Sequence, residues 1–67
     1  MSERIYKALL NRYQTQMEEA LVTIDALLEG PIIPGHEDVL GSVDKLLEKV
    51  ADAKEMMATL RQYYGTN

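Results

Sequence analysis

The sequence of 67 residues contains no cysteine, no tryptophan, no phenylalanine and a single histidine, His36. Without cysteine the chain forms no disulfide bond, and one histidine does not supply the ligands of a structural zinc site. A small core therefore receives no covalent or metal cross-link. The sequence also lacks an apolar run of about 15 to 20 residues, so we expect no signal peptide, no contact with a membrane and a location in the cytoplasm.

Hydrophobic residues make up 46% of the chain, which is too high for a disordered segment, and the length allows one domain. A folded chain of this size buries only about 60% of the surface that its unfolded form exposes. Either the elements of this domain pack unusually well, or several chains share one core.

Two stretches carry apolar residues at alternating steps of four and three, the heptad pattern of packed α-helices. We call these positions the seam. Their unbroken periodicity leaves little room for a strand, so the sequence predicts an all-α fold. The seam residues are Tyr6, Leu10, Tyr13, Met17, Ala20, Ile24 and Leu27, followed by Val39, Val43, Leu46, Val50, Ala53, Met57, Leu60 and Tyr64.

The segment between the two stretches is typical of a loop. Gly30 is expected to cap the first helix in the left-handed conformation, and Pro31 cannot continue that helix. Gly65 is the expected cap at the end of the second helix. The sequence thus predicts one helical-hairpin domain with a helix over about 3–28, a loop over 29–35 and a helix over about 36–64.

Two long helices with so short a connection must fold back as an antiparallel hairpin. Further apolar residues lie beside the seam and widen the apolar face beyond what one partner helix can cover. We therefore expect a homodimer that forms a four-helix bundle, the alternative being a monomer with exposed leucines. The expected oligomer interface consists of Leu9, Leu21, Leu28, Leu40, Leu47 and Met56.

The start of the second helix has two interpretations. Glycine costs about 1 kcal/mol in a helix and serine is a common N-cap, so Gly41 and Ser42 could mark a later start than His36. We favour the unbroken helix from about His36, because Val39 and Val43 stay in phase across the glycine. The corresponding registers pair Tyr6 with Leu60 and Tyr13 with Ala53 for the early start, or Tyr6 with Tyr64 and Leu10 with Leu60 for the start at Ser42.

Seven basic and eleven acidic residues give a net charge of -4 and are unevenly distributed. Residues 13–44 contain seven acidic residues and no basic one, whereas both ends carry a small positive excess. In a hairpin the loop end is then acidic and the open end is mildly basic. This polarity can orient a partner, or it can simply keep a small oligomer in solution.

Residue patterns that carry catalysis or bind cofactors are not found. A di-metal site in a helical bundle needs Glu-x-x-His pairs, and the single histidine has no glutamate at that spacing. No base and nucleophile pair can be named, and the glycines form no phosphate-binding loop. We expect a protein that is not an enzyme and that binds no metal and no cofactor.

Two groups of residues are candidates for binding another protein. Tyr6, Tyr63 and Tyr64 should cluster at the open end near Arg4, where they either plug the end of the bundle, dock a partner or stack on RNA bases. The net charge argues against RNA. In the loop, Ile32 and Ile33 are apolar where solvent is expected, so they either fold back over Leu28 and Leu40 or are presented to a partner.

Four segments, 2–6, 19–24, 34–36 and 44–53, resemble small two-helix proteins of unknown function encoded by tailed bacteriophages. The resemblance spans most of the chain and implies a small helical protein in the cytoplasm of a bacterial host. It implies no activity and no functional residues.

Two further resemblances concern architecture. The plasmid repressor-of-primer protein is similar in length and hairpin layout and forms a four-helix dimer that binds RNA loops, but this chain lacks its basic helical face and its cysteine. Residues 16–21 followed by Gly30 look like the short acidic hairpins that escort needle subunits of type III secretion. The sequence therefore predicts a protein-binding hairpin, with an escort of a helical partner and an RNA-binding dimer as alternatives.

Overall fold

The computed structural model describes residues 1–30 and 38–65. These residues form two α-helices, α1 over Glu3–Glu29 and α2 over Val39–Tyr64, and contain no strand. The two helices pack against each other. The predicted all-α architecture is confirmed, and α1 ends one residue later than expected from the sequence.

The helices run antiparallel. Leu27, near the end of α1, lines a pocket with Gly41 and Lys45 near the start of α2. Farther from the loop, residues 16–23 of α1 share a groove with residues 46–56 of α2. In the direction in which residue numbers increase along α1, they decrease along α2. This confirms the predicted hairpin.

The groove also indicates the register between the helices. Its residues place the segment around Ala20 across from a segment of α2 centred near Ala51. This position agrees with the register that pairs Tyr6 with Tyr64, and it lies about one helical turn from the register that pairs Tyr6 with Leu60.

Both ends of α1 are capped, but not both as expected. Ser2 accepts a hydrogen bond on its Oγ from the Ile5 backbone N–H at 3.1 Å, as an N-cap does. At the other end Gly30 donates its N–H to the Ala26 carbonyl but has φ -74° and ψ 159°. The left-handed conformation predicted for Gly30 is therefore wrong. The physical reason is Pro31, because a residue before proline is restricted to extended conformations.

The helix α2 begins between the two predicted starts, with Asp38 as its N-cap. The Asp38 carboxylate accepts a hydrogen bond from the Gly41 N–H at 2.9 Å. Gly41 thus lies in the first turn of α2, and the glycine-only conformation expected for a start at Ser42 is not found. His36 lies outside the described residues.

The seam forms the core of the hairpin. Every seam residue is buried or half-buried except Tyr64, which lies in the last turn of α2 and is 55% exposed. Ala20 and Ala53 lie near the middle of the seam and are only 4% and 3% exposed. Small side chains at this point let the two backbones approach closely. The buried residues are Ala20, Ile24, Ala53, Met57 and Leu60.

A single hairpin leaves much of its surface exposed. The chain measures 51 × 15 × 15 Å and has a solvent-accessible surface of 5583 Å². A compact folded monomer of 7.6 kDa would expose only about 4,300 Å². The excess of about 1,300 Å² is comparable to what one subunit buries in a permanent dimer. Side-by-side packing of two hairpins would remove an area of this size.

The tight approach of the helices at Ala20 can be tested by enlarging this side chain. Ala20→Leu should lower the free energy of unfolding by about 1 to 3 kcal/mol, because Ala20 is only 4% exposed and a larger side chain must displace the residues packed around it. Ala8→Leu, at an exposed position of the same helix, is the matched control and should change it by less than about 0.5 kcal/mol. Urea denaturation measures both, and equal midpoints would contradict the close approach.

A second test concerns Gly41. A Cβ atom built on Gly41 collides with the Asp38 carboxylate, so Gly41→Ala gains helix propensity but displaces the cap. Since each effect is about 1 kcal/mol, we expect almost no net change in the wild-type background. In an Asp38→Ala background no carboxylate is present, and the same substitution should stabilise the protein by about 1 kcal/mol.

The double-mutant cycle for Asp38 and Gly41 should therefore show a coupling of about 1 kcal/mol in urea denaturation. If Gly41→Ala stabilises both backgrounds equally, the cap does not restrict this position.

Candidate interaction surface

The heptad positions divide the hairpin into two sides. With the seam residues lettered a and d, the flanking positions are e on one side of each helix and g on the other. Gln16 and Thr23 at g positions of α1 line the groove together with Lys49 and Met56 at g positions of α2. The g positions of both helices therefore lie on one side, which we call the groove side, and the e positions lie on the opposite side.

The side opposite the groove carries four exposed leucines. Leu21 and Leu28 occupy e positions of α1, and Leu40 and Leu47 occupy e positions of α2. In the antiparallel hairpin all four lie in the half next to the loop, with Leu21 near the level of Leu47 and Leu28 near the level of Leu40. We call this surface the leucine face. The exposed fractions are 37% for Leu21, 66% for Leu28, 84% for Leu40 and 51% for Leu47.

On the side of the leucine face, acidic and basic residues occupy different halves of the hairpin. Acidic residues at b positions, which border the e positions, lie beside the leucine face, whereas the half toward the open end carries basic residues at b and e positions. Lys7 forms an ion pair with Glu3 at 3.1 Å, and both side chains are largely exposed. The acidic residues are Glu18, Asp25 and Asp44, and the basic residues are Arg4, Lys7, Lys54 and Arg61.

A second apolar surface lies on the groove side at the open end. It combines Ile5, Leu9, Met56 and Tyr63, which occupy c and g positions of the two helices. Tyr63 is 70% exposed, and Leu9 is half-buried. We call this surface the tyrosine patch. It lies diagonally across the hairpin from the leucine face, on the opposite side and at the opposite end.

The six residues of the predicted oligomer interface are distributed between these two surfaces. Four of its six residues, the leucines at e positions, come together in the leucine face. Leu9 and Met56 lie on the groove side and belong to the tyrosine patch. The heptad letters alone carry this distinction, since e and g positions lie on opposite flanks of a helix.

Not all of the tyrosines at the open end are buried between the two helices. Tyr6 is half-buried in the seam, whereas Tyr63 and Tyr64 are exposed, and Arg4 is exposed at the same end in the first turn of α1. The expected plug is therefore not formed by Tyr63 and Tyr64 within the hairpin. Their aromatic rings are available to a partner. The other predicted contact residues, Ile32 and Ile33, lie outside the described residues.

The groove has an apolar floor and charged walls. Its floor is formed by Ala20, Leu46 and Ala53, and its walls include Glu19 and Asp52. Within residues 1–30 and 38–65, no group of three or more histidine or acidic side chains is placed to hold a metal ion. In the same ranges no polar side-chain atom is buried without a hydrogen-bond partner.

Neither of the two described helices is long and apolar enough to cross a bilayer. Comparison of the chain with protein-family models, with curated proteins and with solved structures gives no match.

The basic residues at the open end raise the question of nucleic acid, which a binding measurement can answer. We expect no complex with RNA or duplex DNA tighter than about 100 μM at physiological salt, because a chain with net charge -4 gains little from releasing counterions. Fluorescence anisotropy with labelled RNA and DNA hairpins measures this affinity.

A micromolar complex would contradict this expectation if it weakens steeply with salt and with Arg61→Ala. In that case Tyr63 and Tyr64 would form a stacking platform for bases.

Proposed function

We propose that this protein is a protein-binding helical hairpin without catalytic activity, which pairs with a second copy through the leucine face to form a four-helix dimer. The observation that carries the proposal is the leucine face itself. Four exposed leucines lie together on one side, beyond the reach of the hairpin's own seam. Exposed apolar surfaces of this kind mark interaction sites in folded proteins.

The energetic argument follows from burial. Transfer of a leucine side chain from water to an apolar contact contributes about 1.5 to 3 kcal/mol when it is complete. Leu28 and Leu40 are mostly exposed and lie near the same level of the hairpin, so a partner that covers one also covers the other. The large exposed area of the single hairpin supports the same conclusion.

The open end supports a role in binding a second protein. Tyr63 and Tyr64 present exposed rings, and Arg4 and Arg61 add positive charge at the same end of the hairpin, on the side opposite Tyr63. Tyrosine and arginine are the residue types that contribute most to protein interfaces. We propose that this end binds an acidic segment of another protein while the leucine face holds the dimer. The resemblance to phage proteins suggests a role in phage assembly or in interaction with the host.

The proposed dimer can be tested by introducing one charged side chain into the leucine face. Sedimentation equilibrium at micromolar concentration should give twice the chain mass, and Leu47→Glu should raise the dissociation constant at least about 100-fold, because it buries carboxylates without partners. The monomer should stay folded, since Leu47 is 51% exposed in the hairpin. Circular dichroism checks this.

Val22→Glu is the matched control. Val22 is 66% exposed and lies at an f position, which faces away from the seam, so the same type of change should leave the dimer intact. A wild-type chain that stays folded and monomeric at about 100 μM would refute the dimer. If instead the chain purifies from its native cell as a stable complex with one helical protein, the escort alternative would replace it.

A further inference from the structure

We propose that the two copies meet leucine face to leucine face in parallel orientation, with their loops at the same end and a two-fold axis along the hairpin. This inference rests on the proposed self-association and adds the orientation of the second copy. It depends on the uneven distribution of the exposed leucines, which occupy only the half of this side next to the loop.

The position of each leucine along the hairpin selects the orientation. A two-fold axis parallel to the helices keeps every residue at its own level and places α1 of one copy against α2 of the other. Leu21 then lies across from Leu47 of the second copy, and Leu28 lies across from Leu40 of the second copy. The axis repeats both contacts, so leucines cover leucines over the whole leucine face.

An antiparallel arrangement reverses the levels about an axis that crosses the helices. If this axis passes near Leu21 and Leu47, the outer leucines Leu28 and Leu40 come to the level of Lys54 of the second copy and lose their leucine contacts. Leucine meets leucine only if the axis crosses midway along the leucine face. The open halves then project past each other, and the two copies overlap over only about 15 Å, or about 10 residues of each helix.

The contact area separates this shifted antiparallel arrangement from the parallel one. The hairpin is 15 Å wide, and a helix of 27 residues is about 40 Å long. Full overlap in the parallel dimer therefore covers about 600 Å² on each copy, whereas a 15 Å overlap covers about 200 Å². A specific interface buries at least about 1,000 Å² in total, which only the parallel arrangement reaches.

The charges beside the leucines are worth less than the leucines themselves. An exposed charge pair changes an association constant by up to about 5-fold, whereas complete burial of one leucine changes it by about 10-fold or more. In the parallel dimer Glu18 lies near Lys54 of the second copy, which is attractive, but two other pairs are repulsive. The repulsive pairs between copies are Asp25 with Asp44 and Lys7 with Arg61. The leucines therefore determine the orientation, and the like charges only lower the affinity.

The parallel orientation also brings the two open ends together. Arg4, Lys7 and Arg61 of both copies lie at the same end of the dimer. An acidic segment bound at this end, as proposed above, therefore faces basic residues of both copies and reduces the repulsion between them. The tyrosine patches stay uncovered, because they lie on the groove side of each copy.

Distances between spin labels distinguish the orientations. The chain has no cysteine, so Glu48→Cys and Gln62→Cys each provide one labelling site, and both are exposed f positions of α2. A parallel axis keeps each pair of labels at one level, so the distances at 48 and 62 should differ by less than about 20 Å. Position 62 lies about 20 Å farther from the leucine face, so in an antiparallel dimer its labels should be more than about 40 Å apart.

Each outcome of this double electron-electron resonance experiment bears on the inference. Distances that differ by less than about 20 Å, in a protein of dimer mass that Leu47→Glu dissociates, support it. A distance at 62 that exceeds the distance at 48 by more than about 20 Å shows an antiparallel dimer. That result overturns the inference while the proposed dimer stands. Monomer mass without coupling at either position refutes the dimer itself.

Charge reversal provides an independent readout. Arg61→Glu places a carboxylate beside Lys7 of the second copy in the parallel dimer, so the dissociation constant should fall about 3- to 10-fold. Adding Lys7→Glu to the same chain restores a pair of like charges and should return the dissociation constant to within about 3-fold of the wild type. Sedimentation equilibrium at about 0.15 M salt, where distant charges are screened, measures these changes.

Gln62→Glu is the control for the added negative charge. Its f position faces away from the second copy, so this substitution should leave the dissociation constant unchanged. In either antiparallel arrangement position 61 lies beyond the contact between the copies. A dissociation constant that Arg61→Glu leaves unchanged or raises would therefore overturn the inference.

Discussion

Two packed helices can bury only one stripe of each other's surface, and the rest of this structure follows from that constraint. Only five residues of the seam are buried, and they include the alanines Ala20 and Ala53 near its middle. Every apolar side chain at a flanking position remains partly or largely in contact with water. A hairpin of this length therefore cannot enclose its own leucines, however well its seam is packed.

The same constraint makes the two sides of the hairpin differ in residue composition. In an antiparallel pair the e positions of both helices lie on one side and the g positions on the other, so each side is built from two distant stretches of sequence. The leucine face combines residues near the end of α1 with residues near the start of α2. The acidic middle of the sequence therefore surrounds the leucine face, and the basic ends of the chain meet at the open end.

Much of this architecture could be predicted from the sequence, because helix period and helix ends are local properties. The alternating steps of four and three identify every residue that is buried in the hairpin. The C-cap rule for glycine does not by itself predict the extended conformation of Gly30, because Pro31 restricts the residue before it. The start of α2 depends on Asp38, whose side chain caps the Gly41 N–H. Residue spacing alone does not show whether Asp38 or Ser42 is the N-cap.

The surfaces were harder to predict than the core, because their composition depends on register and on which flank of each helix is shared. Leu9 and Leu21 look equivalent beside the seam, yet they lie on opposite sides of the hairpin. This separation has a functional consequence. If a second copy covers the leucine face as proposed, the stability of the fold depends on protein concentration, since association then buries apolar surface that the single hairpin exposes. The tyrosine patch, on the far side, can then bind another protein without competing with the contact that stabilises the fold.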